Sequence, residues 1–208
     1  MNILEASKKY EENIIAQIIV NSLPYVGGAM DVLLSKTWAD FQTKRANDLL
    51  DKIQKEVSEI KTSLINKAFL ESEEFYDLIM KIANVSVQTR CSEIRTGCAR
   101  VVRDAIVESE SIVDLENIVR QISELSKHDL TLLTILKRQF DSSTEVTGNI
   151  ISRLFRDGKC SEVECEIYLY RFETLGLLDH PRNTLTGRGQ VRFQKTVLFD
   201  KIISYLGL

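Results

Sequence analysis

Only two prolines, Pro24 and Pro181, interrupt this chain, and they are accompanied by only nine glycines. Sandwiches and barrels need a tight turn roughly every ten residues, so a sequence this poor in turn formers argues against them. Between the two prolines, apolar residues recur at spacings of three, four and seven, the period of helices buried on one side. A mainly α chain is therefore expected. Its 208 residues are enough for one large domain or two small ones with real cores.

The first helix is expected from about Ile3 to Asn21, with Ile3, Leu4, Tyr10, Ile14, Ile15, Ile18 and Ile19 on one face. A corner from Leu23 to Gly28 then leads into a long helix, expected over about 29–70. Within it Ala46, Leu50, Ile53, Val57, Ile60 and Leu64 follow a 4, 3, 4, 3, 4 rhythm, as in a coiled coil. A seam this short packs most simply inside its own chain, as an antiparallel hairpin or bundle. A seam between two copies, through Leu50, Ile53, Val57, Ile60 and Leu64, is the second reading. Three shorter helices follow. One opens on the acidic run at residues 71–74, one runs from Cys91 to Val107, and one from Asp114 to Leu125. Arg90, Arg95, Arg100 and Arg103 decorate the second of these and read as a solvated face.

After about residue 125 the pattern changes, which divides the chain into a helical region, 1–125, and a C-terminal region, 126–208. A compact apolar helix is expected over His128–Gln139, a second through Ile150, Ile151, Leu154 and Phe155, and a third opening at Cys160-Ser161-Glu162, running through Val163, Ile167, Leu169, Tyr170, Phe172 and Leu175 and ending at Gly176. A turn-rich connector, Asp179 to Thr184, precedes Leu185-Thr186-Gly187-Arg188-Gly189. A closing helix is expected through Val191, Phe193, Val197, Leu198, Ile202, Ile203 and Leu206.

Three helices followed by ETLGLLDHPRNTLTGRGQVRF resemble the end of a winged-helix domain. Leu175, Gly176, Leu177 and Leu178 match the turn after its third helix. Leu185, Thr186 and Gly189 match the end of its wing. The resemblance covers about 128–208 and implies a winged-helix-like module with a small β-hairpin. Farther upstream, Pro24, Val26, Gly27, Asp31, Leu33 and Leu34 give a P-x-V-G-x-x-x-D-x-L-L corner that resembles uncharacterised bacterial helical proteins, and this brings no chemistry with it.

Winged-helix domains commonly bind DNA, and charge limits that implication. Lys plus Arg is 27 against 30 for Asp plus Glu, a formal net charge of −3, which excludes a generally basic nucleic-acid coat. The third helix carries Glu162, Glu164, Glu166 and Glu173 against Arg171 alone, opposing the electrostatic term that dominates binding to a phosphate lattice. By contrast Arg182, Arg188, Arg192 and Lys195 form a basic wing with no acid among them between residues 180 and 195. They would hold one phosphate track, or else solubilise a hairpin and pair with neighbouring acids.

No phosphate-binding glycine loop, dinucleotide fingerprint or serine elbow is present. His128 reads as part of a helix start beside Asp129 and His180 as a loop residue, and neither has a nucleophile placed near it by sequence. Cys91, Cys98, Cys160 and Cys165 lack the two-residue gap of a zinc knuckle or redox pair and read as small apolar residues. No catalytic, cofactor or metal site is expected. Asn13 to Met30 is uncharged, but its amides, Pro24 and Gly27-Gly28 suit a core hairpin better than a membrane span. Reduced thiols and the acidic residues in the first twenty positions fit a cytoplasmic protein without a signal peptide.

The function expected is that of a non-enzymatic cytoplasmic bacterial adaptor or regulator, binding a protein partner or itself through helical surfaces and the winged-helix-like module. A DNA-binding regulator using the basic wing is the first alternative. A membrane-acting effector using the apolar 14–30 hairpin is the second.

Overall fold

The computed structural model describes residues 35–58, 60–107, 111–143, 145–146, 160–179 and 192–208. The expected first helix, the 14–30 hairpin, the helix through 150–155, and Arg182 and Arg188 of the wing lie outside them. The chain is mainly helical and divides into two compact units, 1–123 and 124–208.

The first unit contains α1 (Ser35–Ser58), a 3-10 turn (Thr62–Leu64), α2 (Lys67–Leu70), α3 (Glu73–Gln88), α4 (Ser92–Ile106) and α5 (Ile112–Ser123). Its core is built by α1 lying on α3 and α4, with α5 against both of the latter. Ala46, Leu49, Ile53 and Val57 of α1 meet Leu78, Ile82, Ile94, Cys98 and Val102 in an interior where each is buried. The expected long helix over 29–70 is corrected here: α1 ends at Ser58. The apolar rhythm on to Leu64 does not carry the helix with it. Instead Ser58 donates its hydroxyl to the Lys55 carbonyl, and Ile60 folds back through its N–H to Val57. Asn66 then caps α2 by accepting from the Phe69 N–H, and its own N–H donates to Ile106 at the end of α4.

The arginines of α4 are likewise not a solvated face. Arg95 is buried and donates to Asp48 of α1, while Arg100 and Arg103 both reach Glu56, at 3.3 and 3.0 Å. Arg45 donates to the carbonyls of Val87 and Gln88, satisfying orphan acceptors at the end of α3.

The second unit contains α6 (Lys127–Phe140), β1 (Glu145–Val146), α7 (Glu162–Thr174), β2 (Leu178–Asp179), β3 (Phe193–Lys195) and α8 (Val197–Leu206). The strands form an antiparallel sheet in the order β1–β3–β2, with Val146 opposite Phe193 and Leu178 opposite Lys195. Its core joins Leu133 and Leu136 of α6, Phe172 of α7, Phe193 of β3 and Phe199 and Ile202 of α8, all buried. The closing helix was expected to include Phe193, and this too is corrected. Phe193 lies in β3 and α8 starts only after Thr196, whose hydroxyl accepts from the Phe199 N–H as an N-cap. The same hydroxyl donates to the Gly176 carbonyl, and the Thr196 N–H donates to Leu177, so the cap also joins β3 to the turn after α7.

That turn ends α7 in a Schellman motif. Gly176, at φ 72°, donates its N–H to Glu173, and the Leu177 N–H reaches back to Phe172. At its other end α7 begins with a capping box in which Ser161 and Glu164 satisfy one another's backbone donors. A second capping box, Ser126 and Asp129, opens α6. Asp129 has no exposed surface, and both its oxygens also accept from Arg171 Nη1 at 2.7 Å, while Arg171 Nη2 donates to the Glu124 carbonyl. One carboxylate thus starts α6 and holds α7.

Replacing Arg171 by Met is expected to destabilise the C-terminal unit by about 2 kcal/mol, because the Asp129 charge stays buried without its partner. Urea unfolding followed by far-UV circular dichroism measures it. A loss below about 0.5 kcal/mol, the size of an ordinary surface change, would contradict that role.

Candidate interaction surface

Helix α7 has two apolar faces. Cys165, Leu169 and Phe172 point into the core. On the opposite side Val163, Ile167 and Tyr170 are 66%, 60% and 41% exposed, at spacings of four and three that place them in one row along the helix. Thr174, also exposed, continues the row by another turn. Elsewhere, exposed large apolar residues such as Phe41, Tyr76 and Val113 stand on separate elements, which is ordinary for a protein surface. Three in line on one helix form an exposed apolar stripe, which scattered single residues do not.

Carboxylates border that stripe. Glu164 and Glu166 are exposed and Glu173 is half-exposed. The Glu164 carboxyl is held below its ordinary range, chiefly by the Ser161 backbone N–H and then by the Ser161 hydroxyl. Its contribution to the helix start is therefore present above the usual carboxylate range and fades as pH falls through the lowered value. The one basic residue of α7, Arg171, is spent on Asp129. Tyr170 lies edge-on to Phe193 of β3, ring centroids 5.6 Å apart, which ties the end of the stripe to the sheet.

The other residues singled out in the sequence fall elsewhere. Of the proposed wing cations, Arg192 is half-buried, and Lys195 pairs with Asp200 of α8 at 2.8 Å. Asp200 is in the first turn of α8, where its charge complements the helix dipole, so Lys195 serves a local role there. Of the expected seam, Ile53, Val57 and Ile60 are buried within their own unit and Leu50 is half-buried. Leu64, in the 3-10 turn, is 57% exposed and leaves the seam. Leu49, fully buried beside Leu50, takes the place that the rhythm assigned to its neighbour.

The four cysteines are buried and unbridged. Burial pushes the Cys98 thiol up to about 12. His128, read as part of a helix start, is half-buried, with Nε2 3.0 Å from Cys160 Sγ and its ring 4.9 Å from that of Tyr168. Sequence gave no sign of this, since the contact joins residues 32 positions apart. Among the described residues no group of three or more His, Cys, Asp or Glu is arranged to hold a metal ion, and no helix is long and apolar enough to cross a membrane.

The two faces of α7 predict opposite responses to truncation. Val163→Ser and Ile167→Ser should each change stability by less than about 0.5 kcal/mol, whereas Phe172→Ala should cost about 3–5 kcal/mol. Thermal and urea unfolding of the three variants would test this, and a large loss at Ile167 would mean that the stripe is core. No family model matches the chain, and searches of curated proteins and of solved structures gave no significant match.

Proposed function

We propose that this chain is a protein-interaction module whose C-terminal unit is winged-helix-like and docks a partner through the outer face of α7. The order α6, β1, α7, β2, β3, α8, with β3 in the middle of the sheet, supports the winged-helix-like reading. The exposed row Val163, Ile167 and Tyr170 carries the interaction reading. In DNA-binding relatives of this architecture the corresponding helix meets the major groove. Here that helix turns its single arginine inward and leaves Glu164 and Glu166 outside, which repels phosphate. The same charges favour a partner that is apolar at its centre and basic at its rim. An amphipathic helix with apolar residues in one row and flanking Lys or Arg meets both requirements.

The test captures partners from cells on the tagged full chain, with Ile167→Glu as the paired variant. A photo-crosslinker at Val163 identifies what lies against the stripe. The expected result is a stoichiometric protein that crosslinks at Val163, is lost in Ile167→Glu, and binds less tightly as salt is raised. A nucleic-acid-rich eluate, or a partner held equally by the variant, would overturn the proposal. Sedimentation of the purified chain separates a second copy from a foreign partner as the occupant.

A further inference from the structure

At the start of α7, three groups capable of proton or electron chemistry meet. Ser161 is the N-cap, so Cys160 stands one residue before the cap and Cys165 four residues into the helix. These are the positions that a hydrophobic staple brings together across the first turn of a helix. Here both positions hold sulfur, and the Cys160 side chain is among the neighbours that raise the Cys165 thiol. Cys165 lies in an apolar recess with Leu132, Leu136, Tyr168, Leu169 and Phe172. Burial, foremost, pushes its thiol up to about 12, so it stays protonated at neutral pH. On the other side of Cys160 stands His128 Nε2, at 3.0 Å. Cys160 sulfur therefore has an imidazole nitrogen on one side and a thiol on the other.

An apolar staple needs only two small hydrophobes, and a valine or alanine pair would serve. It does not need an imidazole within hydrogen-bond distance of one sulfur. We propose that Cys160 and Cys165 form a peroxide-oxidised dithiol, in which Cys160 is the attacking sulfur, His128 accepts its proton and Cys165 closes the disulfide. In the first step the Cys160 thiolate displaces hydroxide from the peroxide O–O bond, giving a sulfenic acid. The proton held by His128 neutralises the hydroxide to water. In the second step Cys165 sulfur attacks Cys160 sulfur, the S–O bond breaks, and the Cys165 proton leaves with the hydroxyl as a second water. Two thiols are oxidised and one peroxide is reduced, with no other reactant. Cys160 retains 7% exposure beside the half-buried His128, and the oxidant is a molecule little larger than water. The bridge would tie the residue before the cap to the second turn of α7, locking the segment that holds Val163. This inference does not depend on the interaction reading.

The test treats the reduced, folded full chain with hydrogen peroxide and follows each cysteine by peptide mass spectrometry without reductant. Trypsin cuts after Lys159 and Arg171, so one peptide carries both sulfurs. That peptide is expected to lose two hydrogens before Cys91 or Cys98 reacts, and to regain them with dithiothreitol. In Cys165→Ser the reaction should stop at a Cys160 sulfenic acid trapped by dimedone. In His128→Gln, with its circular dichroism unchanged, oxidation near neutral pH should slow on the order of tenfold, and its pH profile should move upward. Oxidation of Cys91 or Cys98 ahead of this pair, or no trapped sulfenic acid in Cys165→Ser, would overturn the dithiol. An unchanged rate and pH profile in His128→Gln would overturn the role given to His128.

Discussion

The C-terminal unit depends on the buried carboxylate of Asp129. A charge with no exposed surface is tolerated only when its lone pairs are filled and an opposite charge is close. Asp129 meets that condition with the Ser126 N–H and the Arg171 guanidinium. Two helices that are distant in sequence are therefore held in one arrangement. Helix α7 needs this constraint more than most, since apolar side chains line both of its sides and hydrophobic burial alone would leave its rotation poorly determined. The arginine decides which side faces inward.

The helical unit uses the same device at its surface. Glu56 receives two arginines from α4, and Asp48 receives a third. These pairs are partly exposed, so each contributes modestly to stability. Their geometric effect is larger. They fix the register of α1 along α4, a choice that the apolar row of α1, with leucines at both 49 and 50, leaves open.

Much of this architecture was legible in the sequence, for identifiable reasons. The helices α3, α5 and α6 pair a clear apolar period with a serine at their start, both local signals, while α4 shows the period alone. The end of α1 was not legible, because the apolar rhythm continues past Ser58 with no proline or glycine to mark the stop. The strand β3 was hidden for a different reason. Three residues are too few to display an alternation, and Phe193 also suits the helical period of the segment that follows. The outer row of α7 was present as letters, but a row of apolar residues gains meaning only once another row on the same helix is known to be the buried one. The His128 and Cys160 contact required the fold itself.

Helix α7 is bounded at both ends, by the Ser161 capping box and by Gly176 in a left-handed conformation. From Val163 to Tyr170 the exposed row rises only about 10 Å, two helical turns. A platform so short presents little area, far from the extent that permanent subunits share. Whatever rests on it would come and go readily unless a second foothold lengthened its stay. On the docking we propose, a helix of these dimensions suits a brief contact better than a permanent one.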